Sequence, residues 1–127
     1  MDLHAGQCWT YRAPSGFEAS RLVIGAIVTF DGDRSIVCCS VTGAPRRHAD
    51  GRVESVIIPF LPMTEPAFRA SVVAFEGAAE PSQTFAAKLD EWGNDPRGLT
   101  TFTVPFEGYL DRMIALQMAE IAGQNAA

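Results

Sequence analysis

The sequence predicts an α+β fold built on a strongly curved antiparallel sheet of about five strands, with two or three helices packed at one side or end. Three observations carry this. Residues 20–43, SRLVIGAIVTFDGDRSIVCCSVTG, alternate on both sides of Asp31-Gly32-Asp33 and read as a long β-hairpin. Both faces of that hairpin carry apolar side chains, so the sheet must curl or be covered on each side. After Pro62 the apolar spacing lengthens from two residues to three or four, the period of a helix.

Gln7 to Arg12 alternates, with Trp9 and Tyr11 on one side, and predicts the first strand. Ala13-Pro14-Ser15-Gly16 follows as a turn. In the hairpin, Leu22, Ile24, Ala26, Val28 and Phe30 are expected on one face with Val37, Cys39 and Val41. A turn centred on Gly32-Asp33 sets Val28 against Val37, Ala26 against Cys39 and Ile24 against Val41, with Asp31 opposite Arg34. A turn centred on Asp31-Gly32 slides the pairing by two residues and keeps the faces. Residues 43–52 are expected as a polar loop, and Val53–Ile58 as a short strand stopped by Pro59 and Pro62.

A first helix is expected from a Thr64 or Glu65 cap, with Pro66 in its first turn and Phe68, Val72 and Phe75 on one stripe. Ser82 caps a second helix carrying Phe85, Leu89 and Trp92, which ends at Gly93-Asn94-Asp95-Pro96. Leu99–Val104 reads as a late strand with Phe102 and Val104 inward. Pro105 opens a last helix whose stripe, Phe106, Tyr109, Leu110, Met113, Ile114 and Met118, is wider than one sheet contact needs. Gln117 interrupts that stripe, a place for the helix to fray, and residues 123–127 are expected as a disordered tail. The order β-ββ-β-α-α-β-α suits an SH3-like partial barrel, and a flat sheet with helices layered on one face is the alternative.

At 127 residues, 47% hydrophobic and 20% charged, the chain is expected to form one domain, residues 1–127, rather than a disordered segment. Ten basic residues against fifteen acidic give a net charge of −5. Residues 1–60 balance, and the excess of acids lies in residues 61–127. That balance disfavours a nucleic-acid partner outside a local basic patch. Cys8, Cys38 and Cys39 form no C-x-x-C pair, and strand neighbours such as Cys38 and Cys39 are poorly placed to bridge, so reduced thiols and a cytoplasmic location are expected. The N-terminal MDLHAGQ lacks a basic-then-apolar leader, and no apolar run approaches a membrane span.

The string W-T-Y-R-A-P-S-G-F-E-A-S-R-L-V-I, Trp9 to Ile24, resembles the opening of a family of short bacterial proteins of unknown function. The later I-P-F-L-P-M-T-E-P-A-F-R-A-S-V and F-T-V-P are similar in character to the same proteins. The resemblance spans most of the chain and implies a bacterial origin and a single compact unit. It carries no activity, ligand or site.

Two clusters are candidate binding residues. Arg46, Arg47 and His48, with Arg52, form the one local basic concentration, suited to a phosphate, an RNA backbone or an acidic partner, or simply to a solvated loop. Arg12, Glu18 and Arg21 flank the first turn near Trp9 and Tyr11, as a shallow polar-aromatic groove or as a clamp on the loop. No catalytic residue, cofactor or metal is assigned. The cysteines lie on strands away from His4 and His48, two isolated histidines match no ligand spacing, and nucleotide-binding and nucleophile-elbow motifs are absent.

The leading expectation is a non-enzymatic binding domain acting through a protein partner or self-association, with Phe106, Tyr109, Met113 and Met118 at the interface. One rival is a small-molecule or enzymatic pocket between sheet and last helix, lined by Trp9, Tyr11 and Met113. The other is anion or RNA contact through residues 46–52.

Overall fold

The computed structural model describes residues 2–30, 34–96 and 100–125, with side chains to residue 119. Its elements are β1 (Gln7–Tyr11), β2 (Arg21–Phe30), β3 (Arg34–Arg47), β4 (Val53–Thr64), α1 (Glu65–Ser71), β5 (Val72–Ala78), α2 (Phe85–Gly93) and α3 (Leu110–Asn125). The five strands form one open antiparallel sheet in the order β4-β3-β2-β1-β5, and with the helices this is an α+β fold. The hairpin's turn at Asp31-Gly32-Asp33 and the Asp31–Arg34 pair lie outside the described residues, as does Leu99.

The β2–β3 pairing departs from both expected registers at Gly25. Leu22 faces Val41 and Ile24 faces Cys39, but beyond a bulge Ala26 faces Cys38, Ile27 faces Val37 and Val28 faces Ile36. One extra residue exchanges the faces of everything beyond it. Ile27, not Ala26 or Val28, therefore continues the core side with Leu22, Ile24, Val37, Cys39 and Val41. The bulge falls on a glycine because the Phe85 ring of α2 occupies the space where a Cβ would stand. Phe85 is buried there, and Phe60 lies 5.5 Å from it, centroid to centroid.

Both faces of the sheet are covered. On one, Trp9, Tyr11, Leu22, Ile24, Val41 and Leu61 pack with Phe68 of α1, Phe106 of the segment before α3, and Met113 of α3. On the other, Val23, Cys38 and Ser40 are buried, and Ser40 Oγ accepts from the Ser82 amide at 2.9 Å while donating to the Pro59 carbonyl at 2.9 Å. The three successive buried residues Leu22, Val23 and Ile24 follow from this double cover.

Several expected boundaries move. β3 runs through Gly43 and Pro45 to Arg47, so the polar loop shrinks to a turn in which the His48 amide donates to Arg52 O at 2.7 Å and the Gly51 amide to His48 O at 2.9 Å. β4 continues through both prolines because it is an edge strand. The Pro62 carbonyl accepts from the Phe102 amide at 3.0 Å, so the missing proline N–H is on the strand's outer side, where no ladder bond is lost. Pro59 sits in the irregular stretch between the Cys39–Leu61 and Val41–Ile58 pairs.

Thr64 caps α1, its side chain accepting from the Ala67 amide, with Pro66 in the first turn. The helix stops at Ser71, however, and Val72 and Phe75 belong to β5, not to a helical stripe. Phe68, Val72 and Phe75 have helical spacing, but the β-branched pair Val72-Val73 suits a strand, and the vacant side of β1 takes it. Among the described residues the expected late strand contributes one parallel bridge, Met63 to Phe102, while Phe102 and Val104 do pack toward the core.

The last helix starts at Leu110, not at Pro105, because Gly108 adopts φ +103° against Pro14, whose ring fills the place of a Cβ. Gln117 does not fray the helix. Its Oε1 accepts from the Thr103 amide and hydroxyl at 3.1 and 2.7 Å, and its Nε2 donates to Thr101 O at 3.3 Å. The helical backbone continues to Asn125, into the stretch 123–127 expected as a tail, and residues 126–127 lie outside the described residues.

Ser71 joins the end of α1 to the segment before α3. Its buried Oγ donates to Ala67 O at 2.8 Å and accepts from the Phe106 amide at 2.7 Å. Ser71→Ala strands a buried N–H and is expected to cost about 1–3 kcal/mol in chemical denaturation. Gly25→Ala is expected to cost about 1–3 kcal/mol through overpacking against Phe85. In the Phe85→Leu background the Gly25→Ala cost should shrink, and equal costs in both backgrounds would refute the steric account.

Candidate functional site

The two aromatic residues of the first cluster are structural. Trp9 and Tyr11 are buried, Trp9 edge-on to Phe68 at 6.1 Å and Phe75 at 5.5 Å, and Tyr11 against Phe106 at 5.2 Å. Ser20 Oγ donates to Thr42 O at 2.6 Å, so the Tyr11 hydroxyl, 2.7 Å away, donates to Ser20. Burial pushes the Tyr11 hydroxyl's pKa up.

Arg12 donates to the Ala70 carbonyl. Arg21 forks onto the Glu76 carboxylate at 2.7 and 3.1 Å and also donates to the Glu18 and Ser20 carbonyls at 2.7 and 2.9 Å. The Glu18 carboxylate turns instead to the Gly16 amide at 3.0 Å, which holds its pKa below the ordinary range. These residues tie the first turn to β5 and α1. The carboxylate partner of Arg21 is 55 residues away and gives no local sign in the sequence.

Trp9, Tyr11 and Met113, expected to line a pocket between sheet and last helix, are buried together in one hydrophobic cluster. A concave surface lies between the β3–β4 ribbon and the start of α3. It is an open cleft of about 420 Å³, lined by Pro45, Arg46 and Arg47 of β3, Val56 to Pro59 of β4, and Leu110, Asp111 and Ile114 of α3. Sequence reasoning missed the β4 part of its apolar side, Val56, Ile57 and Ile58, while Leu110 and Ile114 belong to the wide stripe expected on the last helix. Ile57 is 63% exposed and Ile114 45%, although both are large aliphatic side chains.

The cleft brings the basic cluster and the last helix together. Arg47 places its guanidinium 4.4 Å above the Tyr109 ring centroid and 3.8 Å from the Asp111 carboxylate. His48 Nε2 lies 3.1 Å from Glu54, near enough for a charge contact but outside hydrogen-bonding geometry. Arg52 lies 3.9 Å from Asp50. Arg46, opposite Glu54 in the strand pairing, has no ion-pair partner among the described residues. Three of the four basic residues thus stand beside a carboxylate of the chain itself.

Of the expected interface residues, Phe106 is fully buried and Met113 nearly so, and both serve the core rather than a surface. Tyr109 is half-buried under Arg47, and Met118 is exposed, as are Ile114 and Leu116. Among the described residues, no group of three or more His, Cys, Asp or Glu is arranged to hold a metal ion. No family model, curated protein or solved structure matches the chain.

The thiols are shielded. Cys38 and Cys39 are buried, and burial pushes the Cys38 pKa up to about 12 and that of Cys39 well above its ordinary value. Half-buried Cys8 is raised by burial and by Glu76, with Arg21 opposing. None is poised as a thiolate at neutral pH.

In the unfolded chain the thiols ionise near pH 9, whereas folded Cys38 stays neutral to about pH 12. Its contribution is therefore complete below pH 9 and is lost as pH rises from 9 toward 12. The expected slope is about 1.4 kcal/mol per pH unit for each buried thiol. Urea midpoints across pH 8–11 should fall accordingly, and Cys38→Ala should flatten that fall whatever its effect at pH 7.

Proposed function

We propose that this protein is a non-enzymatic binding domain that docks a segment of another polypeptide in the cleft between the β3–β4 ribbon and α3. The carrying observation is the cleft itself: about 420 Å³, open, and floored by aliphatic side chains that the fold leaves half-covered. Large apolar residues at such a surface mark contact sites. The cleft residues are proline, valine, isoleucine and leucine with two arginines and one aspartate, a set suited to recognition, with neither nucleophile nor paired acid and base.

A strongly curved, SH3-like partial barrel belongs to the same reading. Its support is an all-antiparallel sheet with β1 inside β5, a one-helix link from β4 to β5, and irregularities in the β2–β3, β3–β4 and β1–β5 pairings that bend strands. A cytoplasmic setting is part of it too, supported by three free cysteines and by the lack, among the described residues, of a helix long and apolar enough to cross a membrane.

Selection from a phage library of random peptides, followed by amide-shift mapping of the selected sequences, tests the proposal. Shifts are expected at residues 56–59 and 110–114. Ile57→Asp and Ile114→Asp, both exposed positions, should weaken the selected peptides at least tenfold while leaving the melting transition nearly unchanged. Selected peptides that map to another surface would overturn it.

A further inference from the structure

Resting on the docking role of this cleft, we infer that its occupant is an extended, acidic-apolar segment of a partner protein, laid along the outer edge of β4 with a carboxylate on Arg46. Three observations converge on that chemistry.

The first is charge. Arg47, His48 and Arg52 each stand near a carboxylate of the same chain, whereas Arg46 borders the cleft with no ion-pair partner among the described residues. A guanidinium beside an aliphatic floor favours a ligand that brings its own carboxylate, which it can grip through two parallel N–H bonds.

The second is the strand edge. β4 is the outermost strand at this end of the sheet. Its far end already takes a chain along its outer side: the Phe102 amide donates to Pro62 O and Phe102 O accepts from the Thr64 amide, each at 3.0 Å. That contact is a parallel bridge at Met63, and residues 53–58 pair with no strand but β3 among the described residues. An added strand there gains main-chain hydrogen bonds and sends alternate side chains toward the sheet.

The third is the floor. Ile57 on β4 and Ile114 on α3 line the same cleft and remain largely exposed. One aliphatic side chain of the added strand covers both, leaving the next acidic side chain on the Arg46 side.

The test uses the whole protein and three fluorescein-labelled, terminally blocked peptides that alternate leucine with glutamate, leucine with lysine, or serine with glutamate. Binding is read by anisotropy and located by amide shifts. The leucine–glutamate peptide should bind at residues 53–59 and Ile114, and the other two at least tenfold more weakly. Arg46→Ala should weaken it roughly tenfold or more, Arg46→Lys less, and added salt should weaken the native protein more than Arg46→Ala. Equal binding of the leucine–glutamate and leucine–lysine peptides at the cleft overturns the acidic preference and leaves the docking role standing. No shift from any peptide, with no phage-selected sequence mapping there, overturns both. A dimer in sedimentation whose amide protection covers residues 53–59 and α3 assigns the cleft to a second copy and also overturns the inference.

Discussion

The sheet depends on one close contact, the Phe85 ring seated over Gly25. A strand that must carry apolar residues to two covered faces has to change sides somewhere, and here it does so where the missing Cβ lets an aromatic ring reach the backbone. The bulge turns Ile27 inward and Val28 outward, so half-buried Ile27 packs against the interior formed by Leu22, Ile24, Val37, Cys39 and Val41. The same ring anchors α2 on the opposite face, next to Phe60, which in turn lies 5.6 Å from Trp92. Trp92 ties down residue 100 through its indole N–H, 2.7 Å from the Thr100 carbonyl. A single small residue thus links the register of the central hairpin to the placement of a helix 60 residues later.

What could be read from the residues was local. The alternation of β1 and the hairpin, the Thr64 cap with Pro66 behind it, and the Phe85–Leu89–Trp92 stripe all express short-range geometry, and each element is found. What escaped was decided by distant partners. Nothing near Gly25 announces a ring from residue 85. Pro59 and Pro62 stop a central strand but not an edge strand, and edge position is a property of the whole sheet. Phe68, Val72 and Phe75 satisfy a helical period, yet the open flank of β1 draws Val72 onward into a strand.

The cleft was legible only in halves. Arg46 and Arg47 stood out as the basic concentration, and the stripe on the last helix stood out as too wide, but they belonged to separate hypotheses. The structure joins them by extending β3 to Arg47 and delaying α3 to Leu110, which sets Arg47 over Tyr109 and beside Asp111. The aliphatic floor has no separate sign in the sequence, because Val56, Ile57 and Ile58 read as part of a short apolar strand. Conversely, Trp9 and Tyr11, residue types favoured at binding surfaces, are built into the core.

The pairing of β1 with β5 gives the chain a particular order of completion. β1 precedes the other strands in the chain, but the strand that flanks it on the far side starts at Val72, after the whole β2–β4 meander and α1. During synthesis the Trp9 and Tyr11 side of the nascent sheet therefore stays unfinished until residues 72–78 emerge, and the Phe106 ring that packs on Tyr11 arrives later still. Closing so long a loop is entropically slow compared with zipping the hairpin, which places a vulnerable interval of this molecule's life between the emergence of β1 and that of Phe106 from the ribosome.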